Sequence, residues 1–336
     1  MRVLIAYNEP VLSGDSPDWA SEAGVLASVE AVERALAARG HVVERLGIRS
    51  LAGLLDHFNN HERHDVVFNL FEGFGGVGRG EAEVAGMFEL AAFPLTGSPA
   101  ASLSLVRDKP RTKWLLAGAG IPTAPFELVP PGATIDRARF AAFVGRGPVI
   151  VKPAHEDGSL GIGPDSIVDT LDALVRQVDH VRSRYGAVLV ERFIEGREFN
   201  AAIVDFGQPE ALPLAEIEFR GGGPEGWQIV TYDAKWSAGS EADRTTPSRC
   251  PATVDPATSE RIRSVALDAF RLCGCRGYAR IDLRMDARGH VYLLEVNANP
   301  DIDPNAGFSK ALKAAAMAYD EFVERLVNSA YEHSAR

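Results

Sequence analysis

The chain has 336 residues, 46% of them hydrophobic, enough for two or three compact lobes. Ordinary levels of aromatic residues, glycine and proline exclude a disordered or fibrous protein. A formal net charge of −11 argues against a nucleic-acid partner, which would want clustered Lys and Arg.

The opening run "RVLIAY" is continuously apolar, as in a strand covered on both faces. It is too short for a signal-peptide core or a membrane span, so the expected location is cytoplasmic, with no membrane partner. From Glu22 to Arg39 the residues Val25, Leu26, Val29, Val32 and Leu36 recur at helical spacing, and Gly40 stops the helix. "HVVERL", "DVVFNLF", a helix near Glu81–Ala92 and "FPLTGS" continue the pattern. They predict an α/β first lobe over residues 1–105. A second lobe over 106–195 starts with the helix in "DKPRTKWLLAGAGIP". It continues through the strands and glycine loops "GPVIVKPA", "EDGSLGIG" and "AVLVERFIEG", with a helix at Asp169–Tyr185. The third lobe, 196–336, has the strands "REFNAAIVD" and "EALPLAEIEF" and an irregular middle at 221–251. A helix at Ser259–Leu272 and a closing strand pair complete it. Cys250, Cys273 and Cys275 make no even disulfide set, and Cys273-Gly-Cys275 is too short for a redox motif, so buried thiols are expected.

The closing pair, "GYARIDLRMDARGHVYLLEVN", carries the first chemical signal. With Arg288-Gly289 as a two-residue hairpin turn, Met285 pairs with Tyr292, Asp282 with Glu295 and Arg280 with Asn297. That register puts Arg280, Asp282, Glu295 and Asn297 on one face, and Ile281, Leu283, Leu294 and Val296 on the other. Opposed carboxylates repel unless a cation lies between them, and two carboxylates with an amide oxygen are hard ligands suited to Mg²⁺. The alternative is an Arg280–Asp282–Glu295 salt network on a solvated edge.

A second signal is "VIVKPAHEDGSLGIG". Lys152 ends an apolar strand, and the loop Asp157–Gly163, which holds Ser159, can close its amides over phosphates. In "VLVERFIEGREF" the turn offers backbone groups to a base and Glu198 a carboxylate to ribose hydroxyls. "GFGGVG" at Gly73–Gly78 fits GxGxxG literally. The next strand, "FPLTGS", lacks the acid a dinucleotide site requires. The nicotinamide-dependent oxidoreductase it would imply is the different-class alternative.

These motifs, in the order "VVFNLFEGFGG", "FPLTGSPAASLSLVRDKPRTKWLLAGAGIPTAPF", "VIVKPA", "GSLG", "VLVERFIEGREF", "YDAKW", "GYARIDLR" and "YLLEVNANP", resemble D-alanine–D-alanine ligases of the ATP-grasp superfamily. The resemblance implies a three-lobe ATP-grasp fold and an ATP-dependent carboxylate–amine ligase that works through an acyl phosphate. ATP and Mg²⁺ are implied, the metal as two ions with Mn²⁺ an alternative. The implied substrates are a small-molecule carboxylate and an amine, amino acids or similar; a homodimer is left open. Lys109 and Lys152 correspond to the phosphate-contacting lysines, and Glu191, Arg192, Phe193 and Ile194 to the adenine-side segment. Glu198 corresponds to the ribose ligand, and Asp282, Glu295 and Asn297 to the metal ligands. Arg280 corresponds to the arginine that stabilises the tetrahedral intermediate and Lys235 to the mobile-loop lysine. Glu22, with Glu9 competing, corresponds to the acid that orients the first substrate's ammonium.

Departures concern the substrates. Glu72 stands where the family has a histidine, and Trp236 where it has a tyrosine. Asp301 follows "NANP" in place of a glycine, and no Ser-Leu pair follows to bind the acceptor's carboxylate. An aspartate there would repel such a carboxylate, unless the loop realigns and Ser309 takes the lost serine's place.

Overall fold

The computed structural model describes residues 1–16, 19–60, 63–75, 80–221, 226–237 and 239–334. Strand β1 (Arg2–Asn8) is the centre of a parallel sheet, between β2 (Val42–Ile48) and β3 (Val66–Leu70). Leu4 and Ala6 enter one hydrophobic core and Val3 and Ile5 another, which is why the run shows no polar alternation. The helix Val25–Ala38 packs Val29, Val32 and Leu36 onto this sheet, and Gly40 follows at φ +79°. Its expected start at Glu22 falls instead in a separate short helix, Trp19–Ala23. "FPLTGS" makes only a single bridge, Val67 to Leu95, and no strand. Pro94, its second residue, has no N–H to give a ladder. The helix Tyr319–Ser334 returns to the first sheet, where Phe322, Val323 and Leu326 share a core with Val3, Ile5 and Phe68.

An antiparallel sheet follows, built of β4 (Phe126–Val129), β5 (Val149–Pro153), β6 (Ile167–Val168) and β7 (Val188–Arg192) in the order β4-β7-β5-β6. Val149, Val151, Val188 and Val190 pack against Leu174, Val178 and Val181 of the helix Leu171–Tyr185. The alternation leaves Ile150, Lys152 and Glu191 for the opposite face.

The third sheet joins β8 (Arg197–Asp205), β9 (Pro209–Ala211), β10 (Ala215–Ile217), β11 (Ser248–Arg249), β12 (Tyr278–Met285) and β13 (Val291–Asn297). Its order is β11-β10-β8-β12-β13, with β9 beside β8. Phe199, Ala201, Ile281 and Leu283 face the helix Pro256–Leu272 and its Ile262, Ala266 and Phe270. The other face carries Glu198, Asn200, Arg280, Asp282 and Arg284.

The β12–β13 hairpin differs from expectation in an instructive way. Its turn has three residues, with Asp286 N donating to His290 O at 3.0 Å and Gly289 at φ +82°. Met285 therefore pairs with Val291 and not with Tyr292. A bulge between Asp282 and Leu283 on the pairing then restores Asp282 opposite Glu295 and Arg280 opposite Asn297. The longer turn and the bulge cancel. Leu293 takes the core position expected of Leu294, and Leu294 lines the cavity.

Within the irregular middle, two short helices form, Tyr232–Trp236 and Glu241–Thr245, started by side-chain caps from Thr231 and Ser240. Burial pushes the Cys273 and Cys275 thiols up to about 11 and about 12, as fits inert core cysteines. Among the described residues no helix is long and apolar enough to cross a membrane.

Candidate active site

A cavity of about 650 Å³ opens between the polar faces of the second and third sheets and reaches the end of β1. Most residues singled out in the sequence line it: Glu22, Lys109, Lys152, Ser159, Glu191, Arg192, Phe193, Ile194, Glu198, Lys235, Arg280, Asp282, Glu295 and Asn297.

Lys109 opens the helix Lys109–Gly118, which Asp108 caps by accepting from Arg111 N and which carries Pro110 in its first turn. Its Nζ reaches Glu295 Oε1 at 2.7 Å and Asp157 Oδ1 at 2.5 Å, and donates to Glu156 O at 2.6 Å. Burial opposes the ionisation of Glu295, but Lys109, with Lys235, reverses this and leaves its carboxyl well below the usual range. Asp282 is gripped by Arg280 through both oxygens, each at 2.8 Å, and accepts from Asn200 Nδ2 at 2.8 Å. The Arg280–Asp282 ion pair of the salt-network alternative thus exists, but the network is not on a solvated edge. The Arg280 and Asp282 side chains are 18% and 11% exposed, inside the cavity.

Two buried cations escaped the sequence reading. Lys113, one turn beyond Lys109, ion-pairs with Glu191, whose other oxygen meets Lys152 Nζ at 2.7 Å. Burial raises the Glu191 carboxyl, and Lys113 and Lys152 together more than reverse that. Arg284 donates from Nε to Glu198 at 2.9 Å and from Nη1 to Ile194 O at 2.7 Å, and lies over the Phe193 ring. Its signal was the parity of Arg280, Asp282 and Arg284 on one strand. The Arg192 guanidinium is occupied elsewhere, by the carbonyls of Phe143, Gly147 and Pro148.

The glycine loop holds Gly158 and Ser159 at φ +63° and +61°, with Ser159 Oγ donating to Val230 O at 3.2 Å. Trp236 Nε1 donates to Gly158 O at 2.9 Å, tying the Lys235 segment onto that loop. Lost hydration and the neighbouring Arg280 charge lower the Lys235 pKa, while Asp282 and Glu295 oppose this.

At the end toward β1 the balance changes. Glu22, 3% exposed, accepts from Val11 N at 3.0 Å and Leu12 N at 2.7 Å through Oε2. Its Oε1 is buried without a hydrogen-bond partner among the described residues. Glu9, its competitor, pairs with Arg49 at 2.7 Å and does not line the cavity. Burial first, and then the nearby acids Asp301 and Asp157, push Glu72 up to about 8. Glu81 rises to about 8 by burial and Asp157, and accepts from Asn299 Nδ2 at 3.1 Å. Asp301 accepts from Ser28 Oγ at 3.1 Å and Asp303 N at 2.8 Å. Ser309 is 2% exposed, donates to Ile302 O at 3.1 Å and does not line the cavity; Ala306, Gly307 and Lys310 do. Of the "GFGGVG" loop, Gly73 lines the same cavity and residues 76–78 lie outside the described residues.

Among the described residues no three His, Cys, Asp or Glu side chains gather around one point. The candidate metal set is two carboxylates completed by the Asn297 amide, whose oxygen accepts from Asn299 N at 3.1 Å. These hard oxygen donors fit Mg²⁺ chemistry.

Residues 115–328 match the family model described as D-ala D-ala ligase C-terminus. The chain is 31% identical to a D-alanine–D-alanine ligase of Alcanivorax borkumensis, over 92% of this chain and 93% of the relative. It is 33% identical to that of Hydrogenovibrio crunogenus over 80% and 78%, and 32% identical to an uncharacterized protein, y4sG, of Sinorhizobium fredii over 79% and 74%. In fold it matches the D-alanine–D-alanine ligase of Bacillus anthracis complexed with ATP, with a TM-score of 0.78 and 18% identity. That match covers 100% of this chain and 99% of the other. The chain therefore belongs to the D-alanine–D-alanine ligase family, the ATP-dependent ligases with the ATP-grasp fold.

Proposed function

We propose that the protein joins a small-molecule carboxylate to an amine with ATP, and that its amine acceptor differs from D-alanine. The lobes 1–105, 106–195 and 196–336 are assigned as N-terminal, central and C-terminal. The observation that carries the reaction class is the gathering of Lys109, Lys152, Arg280, Asp282, Glu295 and Asn297 around one cavity, with Lys109 paired to Glu295.

In this assignment Lys109 and Lys152 hold the phosphates, Glu198 the ribose, and the segment Glu191–Ile194 the base, with Ser159 in the loop above. Asp282, Glu295 and Asn297 would hold Mg²⁺, as one or two ions, and Mn²⁺ would serve the same donors. The metal's contribution is to neutralise phosphate charge. Glu22 Oε1, buried and unpaired, orients the ammonium of the first substrate. That substrate's carboxylate oxygen attacks the γ-phosphorus, with Lys235 beside it; the bond from that phosphorus to the β-phosphate oxygen breaks, ADP leaves, and an acyl phosphate forms. The amine attacks its carbonyl carbon, Arg280 stabilises the tetrahedral oxyanion, and phosphate leaves. The Trp236–Gly158 contact closes the segment over the loop, where excluding water protects the acyl phosphate from hydrolysis.

Asp301, Glu72 and Glu81 make the acceptor end poor in positive charge, which disfavours a free amino-acid carboxylate. They favour an amine with a second cationic group, or one whose carboxylate is absent or masked. A second reading, D-alanine dimerisation, is favoured by Lys310, a cation at the same end of the cavity.

Oxygen transfer tests the reaction class. With a carboxylate substrate labelled with ¹⁸O, a ligase of this kind passes one label into the released phosphate. Phosphate free of label would exclude the acyl phosphate.

A further inference from the structure

The three side chains Lys113, Glu191 and Lys152 form a buried line, with 2%, 1% and 13% of each exposed. Lys113 takes one Glu191 oxygen and also donates to Thr123 Oγ1 at 2.5 Å; Lys152 takes the other at 2.7 Å. Thr123 Oγ1 passes the contact on to Leu293 O at 3.1 Å, on the strand that carries Glu295. Because Lys109 and Lys113 are four residues apart on one helix, the same face supplies both the cation for Glu295 and the cation for Glu191.

A buried carboxylate must keep a cation, since leaving it unpaired costs several kcal/mol in general. Glu191 has two cations, and only Lys152 stands at the cavity where phosphate would arrive. The line carries two positive charges and one negative. With Lys113 removed, the charges cancel, and Glu191 and an incoming phosphate compete for Lys152 alone.

We propose that Lys113 is a positioning residue: by neutralising Glu191 from behind, it leaves Lys152 available to the phosphates of the nucleotide. The proposal rests on the ligase reading only in that the ligand is a nucleotide phosphate. It concerns affinity, not the bond-making step.

Calorimetric titration of the whole protein with Mg·ATP, and separately with inorganic triphosphate, tests it in wild type, K113M and K113M/E191Q. Methionine keeps the length of the lysine stem without its charge. K113M is expected to weaken both ligands by about 10-fold or more. For triphosphate, which makes no base contact, the double variant, lacking the competing carboxylate as well, is expected to return to within about threefold of wild type. A structural defect would not be rescued in this way. The proposal is overturned if K113M binds both ligands as wild type does, or if the double variant binds triphosphate as weakly as K113M. If K113M does not fold, E191Q alone decides. It should bind triphosphate, which has no base to contact Glu191, at least as tightly as wild type, and weaker binding overturns the proposal. Wild-type protein that binds neither ligand would instead remove the ATP reading, and this proposal with it.

Discussion

The two ends of one cavity treat carboxylates in opposite ways. Between the second and third sheets, Glu191, Glu198, Asp282 and Glu295 each meet a Lys or Arg side chain at 2.9 Å or less. Toward β1, the described residues give Glu22 only backbone N–H partners, Glu81 an amide and Glu72 no ion pair. Compensated acids keep their charge when buried; uncompensated ones hold their protons or wait for a cation. The first end thus sets its acids among fixed cations. The second leaves Glu22 and Glu81 without a Lys or Arg partner among the described residues. Where the sequence follows the family's motifs the charges balance, and where it departs, at Glu72 and Asp301, they do not.

Breaking the balanced end should have the largest effects. Glu295→Gln removes one charge from the candidate metal set and is expected to cut turnover by about 100-fold or more with the fold intact. Near-wild-type phosphate release at limiting Mg²⁺ would take Glu295 out of the metal set. Lys152→Met is expected to weaken ATP by about 10- to 150-fold, the value of a charge-assisted contact. Unchanged affinity by calorimetry would leave Lys152 a structural partner of Glu191.

The unbalanced end gives smaller effects. Asp301→Gly restores the family's residue and is expected to raise KM about tenfold for an amine with a second cation, leaving KM for ATP unchanged. A KM that rises equally for D-alanine would show damage rather than lost recognition. The smallest effect is on stability against pH. Glu72 and Glu81 hold their protons to about 8 when folded, against an ordinary 4.5. Their contribution is whole below about 4.5 and is lost as pH rises toward about 8, because the unfolded chain sheds those protons first. Glu72→Gln should flatten that decline, gaining about 2 °C in Tm near pH 8 relative to its effect near pH 5. An equal shift at both would contradict the raised carboxyl.

How much of this was legible follows from period and distance. Alternation along β12 and β13 placed four site residues on one face, and did so although the turn was longer than expected, because the bulge after Asp282 compensated. The caps at Thr231 and Ser240 were visible in "TYDA" and "SEAD", yet the glycine and charge content of the segment hid two helices. Lys113 was unreadable as a buried cation, and Arg284 showed only its parity with Arg280 and Asp282, since each is defined by a carboxylate far away in the chain, Glu191 and Glu198. The packing of the last helix on the first sheet was hidden for the same reason. Local patterns show which face is polar; only the assembled sheets show which charges meet.

The claim that one end takes anionic phosphates and the other a cationic amine is tested most directly by phosphate release with mass detection of products. D-alanine would be supplied alone, and then with diamines, diamino acids and amino-acid amides. The account predicts an amide product formed in step with phosphate release for an amine that bears a second cation or lacks a free carboxylate, and D-alanine dimer only slowly. Efficient D-alanine dimerisation, with a KM in the ordinary range of about 1 μM–1 mM and no gain from any other amine, would contradict it.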